Sequence, residues 1–182
     1  MLLTSERLVL RRFRPADAET LAAYRTDPAV ARYQSWNSPY PVEKARYAIE
    51  SMAAADPDQP GWFQYAVELT AERAHIGDVA VNLHDNRMQA QLGYSLAPAR
   101  QGHGYATEAV RTVLEHLFRV KGLHKVSAEC DARNVASYRL LERTGFQREG
   151  LLRQHTWSKG EWTDDLLYGL LAADFFGVAT VS

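Results

Sequence analysis

Between residues 91 and 130 the hydrophobic pattern changes period twice, and this constrains the fold more than any other feature of the chain. Alternation over Gln91–Leu96 gives way to Ala109, Val110, Val113, Leu114, Leu117 and Phe118, a stripe with a period of about 3.6 residues; Gly122 then closes it and alternation resumes over Lys125–Cys130. A strand, an amphipathic helix and a second strand in direct succession predict a crossover unit with parallel strands. The preceding segments differ. Phe63, Tyr65, Val67 and Leu69 alternate with polar or small residues, as do Val79, Val81 and Leu83 within Ile76–Leu83. Short polar connections between them predict an antiparallel meander leading into the crossover.

The remaining segments frame this centre. Leu8-Val9-Leu10-Arg11-Arg12 suits a short strand, and Pro15 and Pro41 each open a helix. Asn134 to Arg143 reads as a short helix closed by Gly145. Strands near Gln147–Trp157 and Trp162–Leu171 flank the turn Ser158-Lys159-Gly160-Glu161. The expected order is βααβββαβαββ: a mixed α/β fold with a mainly antiparallel sheet flanked by helices and a central βαβ unit. With 182 residues, 46% hydrophobic content and no linker or repeat, one domain over residues 1–182 is expected.

Composition removes several function classes. A net charge of −1 gives no reason to expect a nucleic-acid or acidic-membrane partner. Cys130 is the only cysteine, so no internal disulfide can form, and the first residues lack the apolar run of a signal peptide. A cytoplasmic protein is the expectation. The six histidines show no HxxxH or HExxH spacing, and one cysteine makes no thiolate cluster, so no metal site is expected.

The segment Pro98-Ala99-Arg100-Gln101-Gly102-His103-Gly104-Tyr105-Ala106-Thr107-Glu108 lies between the strand and the long helix. Its glycines permit a tight turn, and the N–H groups at a helix N-terminus favour an anion such as a pyrophosphate. A dinucleotide turn is disfavoured because Thr107 stands where the third glycine belongs, and no GK[ST] follows for a nucleotide P-loop.

Gln101-Gly102-His103-Gly104-Tyr105-Ala106 matches [RQ]-x-x-G-x-[GA] and so resembles the acyl-CoA signature of the GNAT acetyltransferases. The run Gly102–Ala109 resembles the RimJ/RimL-like branch, which acetylates ribosomal-protein N-termini. So do Thr4-Ser5-Glu6-Arg7-Leu8-Val9-Leu10-Arg11, Leu92-Gly93-Tyr94-Ser95-Leu96, the segment Asn134 to Phe146 and Gly160-Glu161-Trp162-Thr163-Asp164. The resemblance implies that the strands at Gln91–Leu96 and Lys125–Cys130 splay apart around a pantetheine arm. It places Tyr94, Ser95, Leu96, Gln101, Gly102, His103, Gly104, Tyr105, Ala106, Thr107, Asn134 and Ser137 at acetyl-CoA.

Acetyl transfer needs a neutral amine, a stabilised oxyanion and a proton for a departing thiolate whose pKa is about 8.5. Many relatives carry a proton-donating tyrosine where this chain has Leu141, and a glutamate base where it has Gln91. By resemblance to the Asn-x-x-Ser pattern, Ser137 is the expected donor; as an alternative, Asn134 is a good helix N-cap and Ser137 a small packing residue. The base stays open among His84, Glu129 and Asp131. A backbone N–H of Tyr94–Leu96 would stabilise the oxyanion. Tyr33, Trp36, His155 and Trp157 are candidates for walling an acceptor slot.

The function expected is direct acetyl transfer from acetyl-CoA to a primary amine, with a protein N-terminal α-amine as one acceptor. Acetylation of an aminoglycoside or polyamine, and a CoA-binding regulatory module without catalysis, are the alternatives. Homodimers are common among such folds.

Overall fold

The computed structural model describes residues 2–177. The N-terminal part contains strands β1 (Leu3–Thr4) and β2 (Leu8–Arg11), then helices α1 (Ala18–Thr26), α2 (Pro28–Ala31) and α3 (Val42–Ala54). The meander follows as β3 (Gly61–Leu69), β4 (Ala74–Leu83) and β5 (Gln89–Leu96). The crossover is α4 (Tyr105–Glu115) and β6 (Lys125–Asp131), succeeded by α5 (Val135–Arg143), β7 (Gln147–Ser158), β8 (Glu161–Leu171) and α6 (Ala172–Phe175). Among the described residues, eight strands form one sheet in the order β1-β2-β3-β4-β5-β6-β8-β7. Every neighbouring pair is antiparallel except β5 and β6, which run parallel as the period change predicts.

The sheet has a hydrophobic cluster on each face. Phe63, Tyr65, Val67 and Leu69 point to one side and pack with Val110, Val113, Leu114 and Leu117 of the long helix, and with Leu140 and Leu141 of α5. Ala66, of opposite parity on β3, joins Leu21 and Tyr24 of α1 and Ala45 and Ile49 of α3 on the other face. Each helix group therefore lies on its own side of the sheet. Burying Leu114, which has no exposed surface, stabilises the fold by about 2 kcal/mol relative to leaving it in water.

The elements beyond the expected order are short. A two-residue strand shows no period, and Pro28–Ala31 has no room for a stripe. Its signal is local instead: Asp27 Oδ1 accepts from the N–H groups of Ala29 and Val30 at 2.8 and 3.3 Å, with Pro28 at the first helical position. The helical stripe through Phe118 is realised differently from a plain α-helix, since α4 widens into a π turn over His116–Val120. Leu117 and Phe118 remain buried there.

Candidate active site

Pairing between β5 and β6 runs through Gln89↔Lys125, Ala90↔Val126, Gln91↔Ser127 and Leu92↔Ala128, and there it stops. Beyond that point β5 continues to Leu96 beside β4 and β6 continues to Asp131 beside β8, so the two strands part. The N–H of Ala97 donates to the Ile76 carbonyl on the β4 side. By alternation, the backbone polar groups of Tyr94 and Leu96 turn toward the gap. Gln34 Nε2 reaches the Tyr94 carbonyl oxygen at 3.5 Å, and Gln101 Nε2 donates to that of Leu96 at 3.0 Å. The Gln101 side chain thus ties the turn after β5 back to the strand end.

At the mouth of this gap, Gly102 and Gly104 have φ of 79° and 82°, a left-handed conformation that costs a side-chain-bearing residue about 1–2 kcal/mol. Gly104 is the N-cap of α4 and has no side chain to offer the helix's first N–H groups. A cleft of about 550 Å³ opens here. Tyr94, Ser95, Leu96, Gln101, Gly102, Gly104, Tyr105, Ala106, Thr107, Asn134 and Ser137 all line it, together with Tyr33. His103 stands outside: its exposed ring stacks on Tyr105 at 5.7 Å and donates from Nδ1 to the Gln101 carbonyl at 2.7 Å. Unpaired strand backbone, a left-handed glycine turn and an uncapped helix start fit a cofactor with an amide-bearing arm and a pyrophosphate.

Across the cleft, the Tyr94 hydroxyl lies 2.9 Å from Ser137 Oγ and 3.0 Å from the Ser137 carbonyl oxygen. Burial, the largest influence, pushes the Tyr94 phenol up, so it keeps its proton. Cys130 also faces Ser137, and burial pushes its thiol up to about 11. The Asn134 side chain accepts from the Ser137 N–H at 3.2 Å, so it does cap α5. Leu141 is 1% exposed and belongs to the core.

The opposite face of the sheet carries a second group. Val126 and Ala128 face the long helix, so Glu129, the first residue of β6 past the last β5 pair, faces the other way. Its carboxylate, His155 and the buried Asp165 bring their ligand-capable atoms within 4.8 Å of one another. Glu129 is itself exposed; partial desolvation and then the neighbouring Asp165 charge raise its carboxyl above the ordinary value, against a lowering by His155. Sequence spacing shows none of this, because the three residues come from three strands and His155 sits where β7 breaks register between Leu152 and Thr156. Asp131 is engaged by Arg133 at 2.6 Å.

His84 lies elsewhere. It follows Leu83, which pairs with Ala90, whereas the gap opens at the other end of β5. Antiparallel pairing sends the end of β4 away from the end of β5, so His84 does not join the group around Glu129. Trp36 is held as a packing residue: its Nε1 donates to the Arg25 carbonyl at 3.1 Å and the Arg25 guanidinium covers its ring at 4.3 Å. Trp157 is 60% exposed and packs edge-on against Trp162 at the tip of the last hairpin. Arg143, given no role within the Asn134–Phe146 segment, and Gln34 also line the cleft.

A mainly antiparallel sheet opened at one parallel pair, with a glycine turn at the helix that crosses it, defines an acyl-CoA-dependent N-acetyltransferase. The chain belongs to that family, since residues 7–147 match the family described as "Acetyltransferase (GNAT) domain". It is 32% identical over 177 residues to the uncharacterized N-acetyltransferase p20 of Bacillus licheniformis, covering 96% of this chain and 98% of that protein. The solved GNAT-family acetyltransferase of Bacillus anthracis shares the fold with a TM-score of 0.87 at 27% identity, covering 94% of this chain and 99% of that one. RimL, a ribosomal L7/L12 α-N-protein acetyltransferase in complex with coenzyme A, matches with a TM-score of 0.83 at 19% identity over 94% and 98% of the two chains. Among the described residues no helix is long and apolar enough to cross a membrane.

Proposed function

We propose that this N-acetyltransferase takes acetyl-CoA in the cleft between β5 and β6 and an amine from the Glu129 face, with a protein N-terminal α-amine as the acceptor. The observation that carries the reading is the strand gap itself, open on one face to the Gly102–Thr107 turn and bordered on the other by Glu129. Acetyl-CoA supplies the activated carbonyl. The N–H groups of Tyr105, Ala106 and Thr107 hold its pyrophosphate, and the free backbone groups of Tyr94 and Leu96 hold its arm. An N–H on this strand also offsets negative charge developing on the carbonyl oxygen.

Glu129 takes the proton from the incoming ammonium, and its raised carboxyl suits it better to that task than an ordinary glutamate. Ser137 gives its proton toward the departing sulfur and regains one from the nitrogen as the amide forms, while the Tyr94 hydroxyl, bonded to the Ser137 carbonyl oxygen and 2.9 Å from Oγ, holds the serine in place. His155 and Asp165 flank the base, and Tyr33 borders the acceptor's approach. The carboxylates of Glu129 and Asp165 favour a cationic acceptor, which an N-terminus and a polyamine both provide. RimL's action on a protein α-amine supports the N-terminal choice.

The test is calorimetry with acetyl-CoA against NAD and ATP, followed by an acceptor panel of N-terminal peptides, spermidine and an aminoglycoside. Selective acetyl-CoA binding with peptide turnover is expected. Cofactor binding without turnover of any amine would instead establish a regulatory CoA-binding module.

A further inference from the structure

Glu108, in the first turn of α4, is held by the segment joining β1 to β2. Ser5 Oγ donates to its Oε1 at 2.7 Å, the Arg7 backbone N–H donates to the same oxygen at 2.8 Å, and Arg7 Nε donates to Oε2 at 2.7 Å. Arg7 Nη2 completes an ion pair with Oε2 at 2.6 Å. The remaining arm of the guanidinium, Nη1, donates to the His103 carbonyl at 3.1 Å, and its central carbon Cζ lies 4.6 Å from the Tyr105 ring centre. A Cβ placed on Gly104 would come within 3.5 Å of Arg7 Nη2, so the guanidinium runs along the back of the turn. None of the three residues Ser5, Arg7 and Glu108 lines the cleft.

Stability alone is a weak reason for this arrangement. The Arg7 side chain is 43% exposed, and ion pairs so open to water contribute little to folding. Its contacts instead join two objects, the Glu108 carboxylate and the turn from His103 to Tyr105. Two left-handed glycines leave that backbone many alternatives in solution, and ordering it on ligand binding would cost affinity. A planar fork that binds a fixed carboxylate on one side and the carbonyl between the glycines on the other removes those alternatives beforehand. Burial by itself would raise the Glu108 carboxyl, but the bonds from Ser5 and Arg7 outweigh it and keep the group ionised.

We infer that Arg7 and Glu108 are positioning residues, a clasp from the N-terminal segment that preorganises the phosphate turn for the nucleotide half of acetyl-CoA. This rests on the reading of that turn as the pyrophosphate site. The clasp touches neither the thioester nor the amine, so it acts on cofactor affinity and leaves the chemical step alone.

The experiment compares acetyl-CoA with S-acetylpantetheine, which keeps the thioester arm and lacks the pyrophosphate. Arg7→Ala and Glu108→Gln should each raise KM for acetyl-CoA about tenfold, the size expected from losing one charge-assisted hydrogen bond. Their kcat, and their kcat/KM with S-acetylpantetheine, should match the parent. Arg7→Lys should resemble Arg7→Ala, because an ammonium cannot span Glu108 and His103 together. The double variant should be no worse than either single one, since both remove the same unit. Equal losses with both donors, or a fall in kcat, would make the clasp a general structural brace and overturn the inference. A parent that uses both donors equally well would instead remove the pyrophosphate reading, and the clasp's role with it.

Discussion

The Tyr94 hydroxyl sits 2.9 Å from Ser137 Oγ, joining the splayed end of β5 to the first turn of α5 across the cleft. Leu141, where many relatives place the proton donor, is in the core and carries no hydroxyl, whereas Tyr94 and Ser137 both line the cleft. Ser137→Ala should lower the single-turnover rate about a hundredfold while leaving acetyl-CoA affinity unchanged, because its interaction strengthens only as the thiolate forms. Tyr94→Phe removes the supporting bond and should cost about tenfold. Rapid-quench measurement at saturating amine checks both; a parental rate in Ser137→Ala would dismiss the assignment.

Glu129 borders the opening of the gap from the other face, with its carboxyl raised by partial desolvation and by the Asp165 charge. The ionised form accepts the proton, so activity should fall as pH drops through that raised pKa, at higher pH than an ordinary glutamate would give. Glu129→Gln should lower kcat and kcat/KM together by about a hundredfold and abolish this acidic limb. A pH profile of unchanged shape in the variant would assign the limb to another group.

At Gly104 the φ of 82° and the open space around a hypothetical Cβ separate two explanations for the glycine. The nearest heavy atom is 3.5 Å away, so conformation rather than crowding by the protein restricts the position. Gly104→Ala should weaken acetyl-CoA binding about tenfold, and Gly104→Asn should weaken it less, because asparagine tolerates the left-handed region better. Calorimetry on the three proteins decides; indistinguishable affinities would remove the turn from the binding site.

Beneath α1, Asp17 accepts from Arg11 Nη1 and Nη2 at 2.8 and 2.9 Å and from the Arg14 N–H at 2.7 Å. Both side chains are buried. Burial alone would raise the Asp17 carboxyl, but Arg11 and the Arg14 N–H outweigh it and hold the group below its usual value. Asp17→Asn should therefore cost about 3 kcal/mol at pH 7, read from urea unfolding. A lowered folded-state pKa gives stability that is complete above the unfolded value of about 3.9 and lost as pH falls through the folded one. The gap between parent and variant should accordingly narrow at pH 3. A constant gap would show that charge is not what Asp17 contributes.

Hydrophobic period alone marks the meander, the long helix and the parallel crossover, because Phe63–Leu69 and Ala109–Phe118 each bury one regular face. Gln101–Thr107 is one contiguous segment, and Asn134 and Ser137 lie one helical turn apart, so the residues expected at the cofactor are local in the chain and, His103 apart, come to line one cleft. Local spacing says nothing about residues that meet through pairing register. His84 has the right intrinsic chemistry for a base, yet antiparallel pairing carries it to the far end of the sheet. Glu129, His155 and Asp165 meet only because β8 inserts between β6 and β7 and β7 breaks register between Leu152 and Thr156. Arg7 and Glu108, which belong to two separate motif segments, touch across a sequence separation of 101 residues. The sequence by itself determined which segments alternate, which coil and where the glycine turn precedes the long helix, since those follow from neighbours along the chain. Only the tertiary structure decided which carboxylate stands just past the last β5–β6 pair and what braces the turn, since strand order and register set distances that no local pattern encodes.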